Sequence, residues 1–472
     1  MNSAKRVFVH SRLGRAIFTL ALIAFPAASL TAVAGASVPA PAWTISTAST
    51  SPTNFVPGGV SDNSSLYVYT VVVTNTGSVA SDPSKPIIIT DFLPPALTAN
   101  ASGTFVTYAA FDDANNFFPC EVGPPARCTA STTVHPGEKL YMRVPVDIDV
   151  DAPPTVVNRV TVSGGGAAGA SDSLQTPISL APAAFDYHEF LGSLTGVDGA
   201  PETRAGSHPY LFRIGAQFNT RNTQAGGIPS GNPRDITGSL PAGLMLNPSA
   251  TPVLCREVQL EMSLGEKSAG CPDASAVGFV QVNLTLAGFA GPSLTQPLYN
   301  MVSAQGHPAT FGFNVGGLGV NVHLLGRVRS DGDYRLSSDT LDIPQVGNLS
   351  GVTIYFWGDP SDPSHDFRRG HCGVSGIGGE ACPVPANATP FLTMPSGCSG
   401  PLKFEISSDS WQDYGNFIST STQTQDAAGN PVGVSGCEKL GYAPLNETHL
   451  STNQAETGTA LDFDLDFAND GF

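Results

Sequence analysis

Between residues 66 and 98 the chain runs in short apolar stretches broken by turn formers. The first is Leu66-Tyr-Val-Tyr-Thr-Val-Val-Val-Thr-Asn-Thr-Gly77, and the second is Pro86-Ile-Ile-Ile-Thr-Asp-Phe-Leu-Pro-Pro-Ala-Leu-Thr98. β-Branched and aromatic residues fill both, and Asn75 and Gly77 suit a turn that tolerates positive φ. The pattern predicts strand, turn, strand, turn, and it carries no chemistry of its own. Further strands are predicted over 104–110, 138–148 and 155–163, the last two bridged by Val150-Asp-Ala-Pro-Pro154. Gly164-Gly-Gly-Ala-Ala-Gly169 reads as a hairpin tip. A phosphate loop would need a Lys-Ser/Thr and an opening helix after it, and neither follows.

Helical periodicity is scarce. Glu257 to Lys267 offers the best short helix. One motif recurs: Thr90-x-x-Leu93-Pro94-x-x-Leu97-x-x-Asn100 is echoed by Thr237-x-x-Leu240-Pro241-x-x-Leu244-x-x-Asn247. Its physical content is a strand end, a proline that cannot extend the ladder, and a leucine that plugs the edge.

The N-terminus has a different pattern. Lys5, Arg6, Arg12 and Arg15 precede an apolar stretch from Ala16 to Val33, and Ala34-Gly35-Ala36 offers a small-residue cleavage site. This predicts an export signal over 1–36, against the alternative of an uncleaved anchor. No other apolar run approaches the ~20 residues of a spanning helix, so no transmembrane segment is expected after cleavage.

Export changes the reading of composition. Net charge is −17, and the first 36 residues hold four basic and no acidic side chains, so the remainder is near −21. That balance argues against nucleic acid as a partner, because little positive surface exists to displace counterions. Charged residues are only 13%, while Gly and Pro make up 90 of 472 positions, the profile of many short strands joined by turns. The eight cysteines fall in close couples: Cys120/Cys128, Cys255/Cys271, Cys372/Cys382 and Cys398/Cys437. In an exported chain they read as four disulfides, neighbour pairing being the simplest of 105 connectivities.

Tyr69-Thr-Val-Val-Val-Thr-Asn-Thr-Gly77, Ile89-Thr-Asp-Phe-Leu-Pro-Pro-Ala-Leu97 and Val157-Asn-Arg-Val-Thr-Val-Ser-Gly164 together resemble the conserved repeat domain of bacterial surface proteins known as domain of unknown function 11. The resemblance spans about 45–180. It implies an immunoglobulin-like sandwich and supplies no catalytic residues. A second series of landmarks includes Ser207-His-Pro-Tyr210, Trp357-Gly-Asp-Pro360, Pro363-Ser-His-Asp366, Ser410-Trp-Gln-Asp413 and Gly436-Cys437. It is similar to an uncharacterised exported, β-rich, disulfide-bonded bacterial family over about 185–472.

Pattern and resemblance together predict an all-β chain of tandem immunoglobulin-like β-sandwich domains, stapled by disulfides. The expected divisions are the signal peptide at 1–36, the immunoglobulin-like repeat domain at 43–180, a β-sandwich at 183–335 and a β-rich domain at 336–472. The last reads as truncated, since Ala460-Leu-Asp-Phe-Asp-Leu-Asp-Phe467 begins a strand that soon stops.

Candidate chemistry is thin. Gly-x-Ser-x-Gly is absent; Gly373-Val-Ser-Gly376 and Gly433-Val-Ser-Gly436 each lack the final spacing. His365, Asp366 and His371, with Asp359 and Asp362 upstream, have the density of a zinc site. The alternative is a hydrogen-bonded loop whose acids pair with Arg368 and Arg369, and those cations oppose a divalent ion. Asp147, Asp149 and Asp151, and likewise Asp462, Asp464 and Asp466, would share one strand face if extended. That permits calcium, against a plain solvated face, and no ligand set is assigned. Glu189, Glu202, Glu257, Glu261 and Glu405 are scattered, with no pairing for glycoside cleavage evident. His208 reads as a turn residue bonding backbone.

Trp357 and Trp411 are the two platform candidates for sugar stacking, the alternative for each being a packed core residue. No catalytic residue, cofactor or metal is assigned. The leading reading is an exported bacterial cell-surface or extracellular protein, structural or adhesive, without catalytic activity. Glycan or cell-envelope components are the expected partners, and oligomeric state is unspecified. The alternatives are a carbohydrate-binding module or glycan-directed enzyme, and a calcium-dependent adhesin.

Overall fold

The computed structural model describes residues 38–467 except 51, 62–65, 101–117, 119, 224–225, 262–269, 287–288, 291–293, 316–317, 331, 371, 373–381, 383–388, 427, 442–443, 453 and 456–457. The expected signal peptide at 1–36 and strand at 104–110 lie outside the described residues, as do Lys267 and His371.

The described chain is all-β. Its first part holds β1 (Trp43–Thr50), β2 (Val68–Asn75), β3 (Ile87–Phe92), β4 (Leu97–Ala99), β5 (Cys120–Glu121), β6 (Ala126–Ala130), β7 (Lys139–Ile148), β8 (Thr155–Gly164) and β9 (Ala167–Pro177). They form two antiparallel sheets, β1-β2-β7-β4 and β5-β6-β3-β8-β9, faced together as an immunoglobulin-like sandwich. Alternation decides the core: Tyr69, Val71 and Val73 of β2 meet Ile87 and Ile89 of β3 and Val156, Val160 and Val162 of β8.

Asn75 earns its place as a hydrogen-bond hub rather than by a left-handed φ. Its side chain accepts from Ala42 N and Gly77 N, each at 3.1 Å, and donates to Val79 O at 2.8 Å and Val134 O at 2.9 Å. The glycine run after β8 is a hairpin tip. There φ is positive at Gly164, Gly165 and Gly166, and a Cβ on Gly164 would lie 1.9 Å from Pro86 O.

The rest of the chain contributes β10 (Tyr187–Thr195), β11 (Leu211–Phe218), β12 (Thr220–Thr223), β13 (Gly226–Pro229), β14 (Pro233–Ser239), β15 (Met245–Leu246), β16 (Ala276–Leu286), β17 (Phe289–Ala290) and β18 (Leu294–Asn300). It continues with β19 (Thr310–Val315), β20 (Val320–Val328), β21 (Leu336–Thr340), β22 (Leu349–Trp357), β23 (Leu392–Thr393), β24 (Lys403–Ser410), β25 (Asp413–Gln423), β26 (Pro444–Leu450) and β27 (Leu461–Phe467). Twelve of these form one sheet: eleven in the order β10-β11-β22-β16-β18-β19-β20-β21-β14-β24-β25, with β17 paired to β16 beside them. The expected boundary between 335 and 336 falls inside this sheet. β20 pairs directly with β21, and β22 inserts between β11 and β16. Sequence order hid this because the strands flanking the boundary are hydrogen-bonded neighbours.

The sheet curls until its edges approach, as a barrel does. The Tyr187 hydroxyl of β10 donates to Ser408 Oγ of β24 at 2.8 Å. Gly192 packs so tightly on Phe404 that a Cβ there would lie 2.5 Å from the ring. The interior face carries Phe212, Val280, Val282, Phe311, Phe313, Leu324, Phe356 and Phe404. Outward-facing Phe279, Tyr355, Tyr210 and Trp357 build a second apolar cluster with Leu260 of α1 (Glu257–Glu261).

Four disulfides staple the described chain: Cys120–Cys128, Cys255–Cys271, Cys372–Cys382 and Cys398–Cys437. The recurring Leu-Pro motif has one shape in both places. Leu97 N donates to Pro94 O at 2.9 Å and Leu244 N to Pro241 O at 3.3 Å, and both leucines are buried. The sandwich docks on the barrel through Ser46, whose hydroxyl donates to Glu189 at 2.9 Å, and through Thr53 and Thr220.

Candidate functional site

Of the two tryptophans proposed as platforms, only one reaches the surface. Trp357 is 1% exposed and belongs to the core. Its ring stacks on His365 with centroids 4.6 Å apart and planes 7° from parallel, and Tyr210 covers His365 at 4.9 Å. The sequence landmarks around Tyr210, Trp357 and His365 therefore converge as packing, which corrects Trp357 as a sugar platform. The reason is position: Trp357 ends β22, an inner strand of the sheet, beneath the turn Pro363–Arg368. Burial, followed by the Arg369 charge, holds the His365 imidazole pKa well below its ordinary value.

Arg369 is itself fully buried. It donates to Asp366 at 2.9 Å and to Asp362 O at 3.0 Å, and it also bonds Pro360 O. The Pro363–Arg368 segment is thus a hydrogen-bonded loop whose acids are engaged. Among the described residues no three His, Cys, Asp or Glu side chains converge as a metal site. β7 ends at Ile148, so Asp149 and Asp151 lie in the turn beyond it and not on one strand face with Asp147. Asp147 accepts from Ser61 N and Asn100 Nδ2, each at 2.9 Å.

The scattered glutamates have local partners. Glu189 accepts from Ser46, Glu202 pairs with Arg204 at 2.9 Å, and Glu257 meets His323 at 2.7 Å. His208 Nδ1 lies 2.9 Å from Leu392 O, a contact to backbone.

Trp411 is different. A two-residue turn, Trp411-Gln412, joins β24 to β25, where Ser410 pairs with Asp413. The turn is anchored on both sides: Trp411 N donates to Asn232 O at 3.0 Å, Trp411 Nε1 to Ile343 O at 2.7 Å, and Asn232 N to Gln412 Oε1 at 2.7 Å. Beside it stand Tyr414 and Phe417, and exposures of 38% for Trp411, 71% for Tyr414 and 55% for Phe417 leave three aromatic rings open on one hairpin.

Arg234 of β14 fixes two of these rings. Its guanidinium lies 5.1 Å from the Trp411 ring centroid and 4.3 Å from that of Tyr414. Asp235 and Asp342 each hold the same guanidinium at 2.5 Å. Around the rings lie amides and carboxylates with bonding capacity: Gln345, which accepts from Asn232 and Gln412 at 3.3 Å each, and Asp413, which accepts from Asn416 at 2.5 Å. Sequence reasoning found Trp411 but missed Tyr414, Phe417 and Arg234. Tyr414 and Phe417 were legible only as neighbours of Trp411, and Arg234 lies 177 residues away in sequence.

Phe417 shares a strand face with Ser419 and Ser421, which line an outer groove of about 720 Å³ with Thr237, Arg327, Lys403 and Glu405. A hydrogen bond from Lys403, and a further one from Arg335, hold the Glu405 carboxyl below the usual range.

No family model matches the chain, and no curated protein matches it in sequence. Among solved structures, the chain is similar to the MSCRAMM ACE of Enterococcus faecalis, titled as binding its ligands by the collagen hug model. Identity is 9%, TM-score 0.18, and coverage 84% of this chain and 98% of that one. The partial N-terminal region of an enterococcal surface protein gives 8% and 0.22, covering 83% and 96%. The collagen-binding domain of surface protein RspB from Erysipelothrix rhusiopathiae gives 10% and 0.19, covering 84% and 97%. At such scores the folds do not superpose as one, and no residue role passes from these proteins to this chain.

Proposed function

We propose that this chain is an exported, non-catalytic binding protein of the bacterial surface or surroundings, and that it contacts carbohydrate through the Trp411–Tyr414–Phe417 hairpin. The observation that carries this reading is Arg234 set against both Trp411 and Tyr414, with two carboxylates holding its charge. Exposed rings held by a fixed cation are preorganised, so little side-chain freedom is lost when a flat ligand face settles on them. Sugar rings offer apolar C–H faces and a rim of hydroxyls. Neighbouring Gln345, Gln412, Asp413 and Asn416 supply donors and acceptors for that rim.

Four disulfides support an oxidising destination. Among the described residues no helix is long and apolar enough to cross a membrane. A rigid sheet presenting a loop is the general arrangement of binding proteins.

The test is a glycan array probed with the secreted chain and with Trp411→Ala/Tyr414→Ala. Binding to a defined glycan class that the double variant loses, at unchanged Tm, is the expected result. Absence of glycan binding by the parent chain, or equal binding by the variant, would refute the reading.

A further inference from the structure

The barrel is wider than its own side chains fill. Eight strands close around an interior just large enough for side chains, and wider barrels enclose space. Here eleven strands curl round, and an apolar cavity of about 260 Å³ remains inside. Its walls include Phe190, Phe212, Ile214, Phe311, Leu324 and Phe356.

One stretch of the wall lacks bulk. Gly326 of β20 pairs with Ser338 of β21, and Ser338 pairs with Gly238 of β14, so three small residues lie abreast. A Cβ placed on Gly238 would meet no atom within 4 Å, so the free space begins at the backbone. Strand periodicity turns Ser338 inward, because neighbouring Asp339 faces outward to Arg327 at 2.7 Å and Thr237 at 2.9 Å. The Ser338 hydroxyl oxygen is shut off from solvent and has no hydrogen-bond partner in the protein.

We infer that the barrel interior binds one uncharged, mainly hydrocarbon molecule bearing a single hydrogen-bonding group directed at Ser338. A buried hydroxyl without a partner is costly, and a ligand hydroxyl in the cavity satisfies it. The one charged residue in the lining, Arg327, has its guanidinium paired with outward-facing Asp339 at 2.7 Å, so a charged ligand would lose its hydration without compensation. The volume suits roughly nine methylene-sized groups, at the ~30 Å³ that a water molecule takes up in the liquid. Apolar cavities stay dry and take up small apolar molecules, and this one is already formed. The site is independent of the hairpin surface proposed for carbohydrate.

The probe is 1-octanol, titrated calorimetrically into the full secreted chain, with octanoate at pH 8 as the charged comparison. One saturable site for 1-octanol is expected, with octanoate binding at least about tenfold more weakly because its charge is desolvated. Gly238→Leu, which builds a side chain into the free space, abolishes binding. Ser338→Ala keeps the cavity and weakens 1-octanol about fivefold, as expected for one lost hydrogen bond. Lack of saturable binding by the parent chain, or unchanged affinity in Gly238→Leu, overturns the site. Octanoate binding as tightly as octanol overturns the uncharged class. Should Gly238→Leu not fold, unchanged affinity in Ser338→Ala still overturns the assignment. Glycan-array binding should be the same in Ser338→Ala as in the parent chain, which separates this site from the surface one.

Discussion

Trp357 and His365 lie face to face, 4.6 Å between ring centroids and 7° from parallel, in the apolar cluster outside the barrel sheet. The contact requires a neutral imidazole, since burial and the Arg369 charge hold the His365 pKa well below its ordinary value. Below about pH 6.5 the unfolded chain therefore takes up a proton here more readily than the folded chain does. The unfolded state then binds more protons, so this contribution is full above pH 6.5 and is lost as pH falls. His365→Phe, which keeps a ring in the stack, should remove that loss of stability on acidification. Urea midpoints of the two proteins at pH 5 and pH 8 check it.

Asp91 acts in the opposite direction. It lies fully buried in the sandwich, and burial pushes its carboxyl up to about 7, partly opposed by Asn158. The unfolded carboxyl ionises near ~3.9, so between these values the folded state holds the extra proton. Stability from this group is complete at the acid end and falls as pH rises from about 4 to about 7. Asp91→Asn should abolish the fall and stabilise the chain at pH 8, by at most about 4 kcal/mol. A variant less stable than the parent at pH 8 would show that the carboxylate is needed there.

The Arg234 guanidinium acts through its planarity as well as its charge. Arg234→Lys keeps the cation but forfeits the flat contact with both rings. It should weaken glycan binding about tenfold while lowering Tm by only a few degrees, because the rings become free to rotate before binding. Glycan affinity and Tm measured on the same preparation separate this from simple unfolding.

Disulfide contributions should follow loop length. Cys398–Cys437 closes a separation of 39 residues and Cys120–Cys128 one of 8. Chain-entropy reasoning gives ~4 kcal/mol for the longer loop and ~2.5 kcal/mol for the shorter. Paired Cys→Ser replacements, compared by chemical denaturation, should rank in that order. The reverse order would mean that native contacts, and not chain entropy, set the difference.

Local pattern was legible wherever one strand or turn carried it. The extended stretches at 66–75, 86–92, 138–148 and 155–163 match β2, β3, β7 and β8 within two residues. The glycine run at 164–169 and both Leu-Pro plugs were readable for the same reason: neighbouring residues decide a turn. Trp357 and Trp411 were indistinguishable by the same means. Each sits at a strand end within a few residues of an aspartate, and the elements folded over them differ.

The all-β character and the short strands were determined by the sequence itself, and the close couples of cysteines made neighbour pairing the simplest connectivity, which is the one formed. Side-chain alternation, turn chemistry and short loops act within a few residues, and the chain need not be folded to reveal them. Tertiary structure alone decided that β22 joins β11 to β16, that Trp357 is sealed against His365, that Arg234 reaches Trp411, and that eleven strands enclose free space. The β22 pairings and the Arg234 contact join residues more than sixty positions apart, chosen by how the whole sheet curls to bury its apolar face. No local pattern carries that choice.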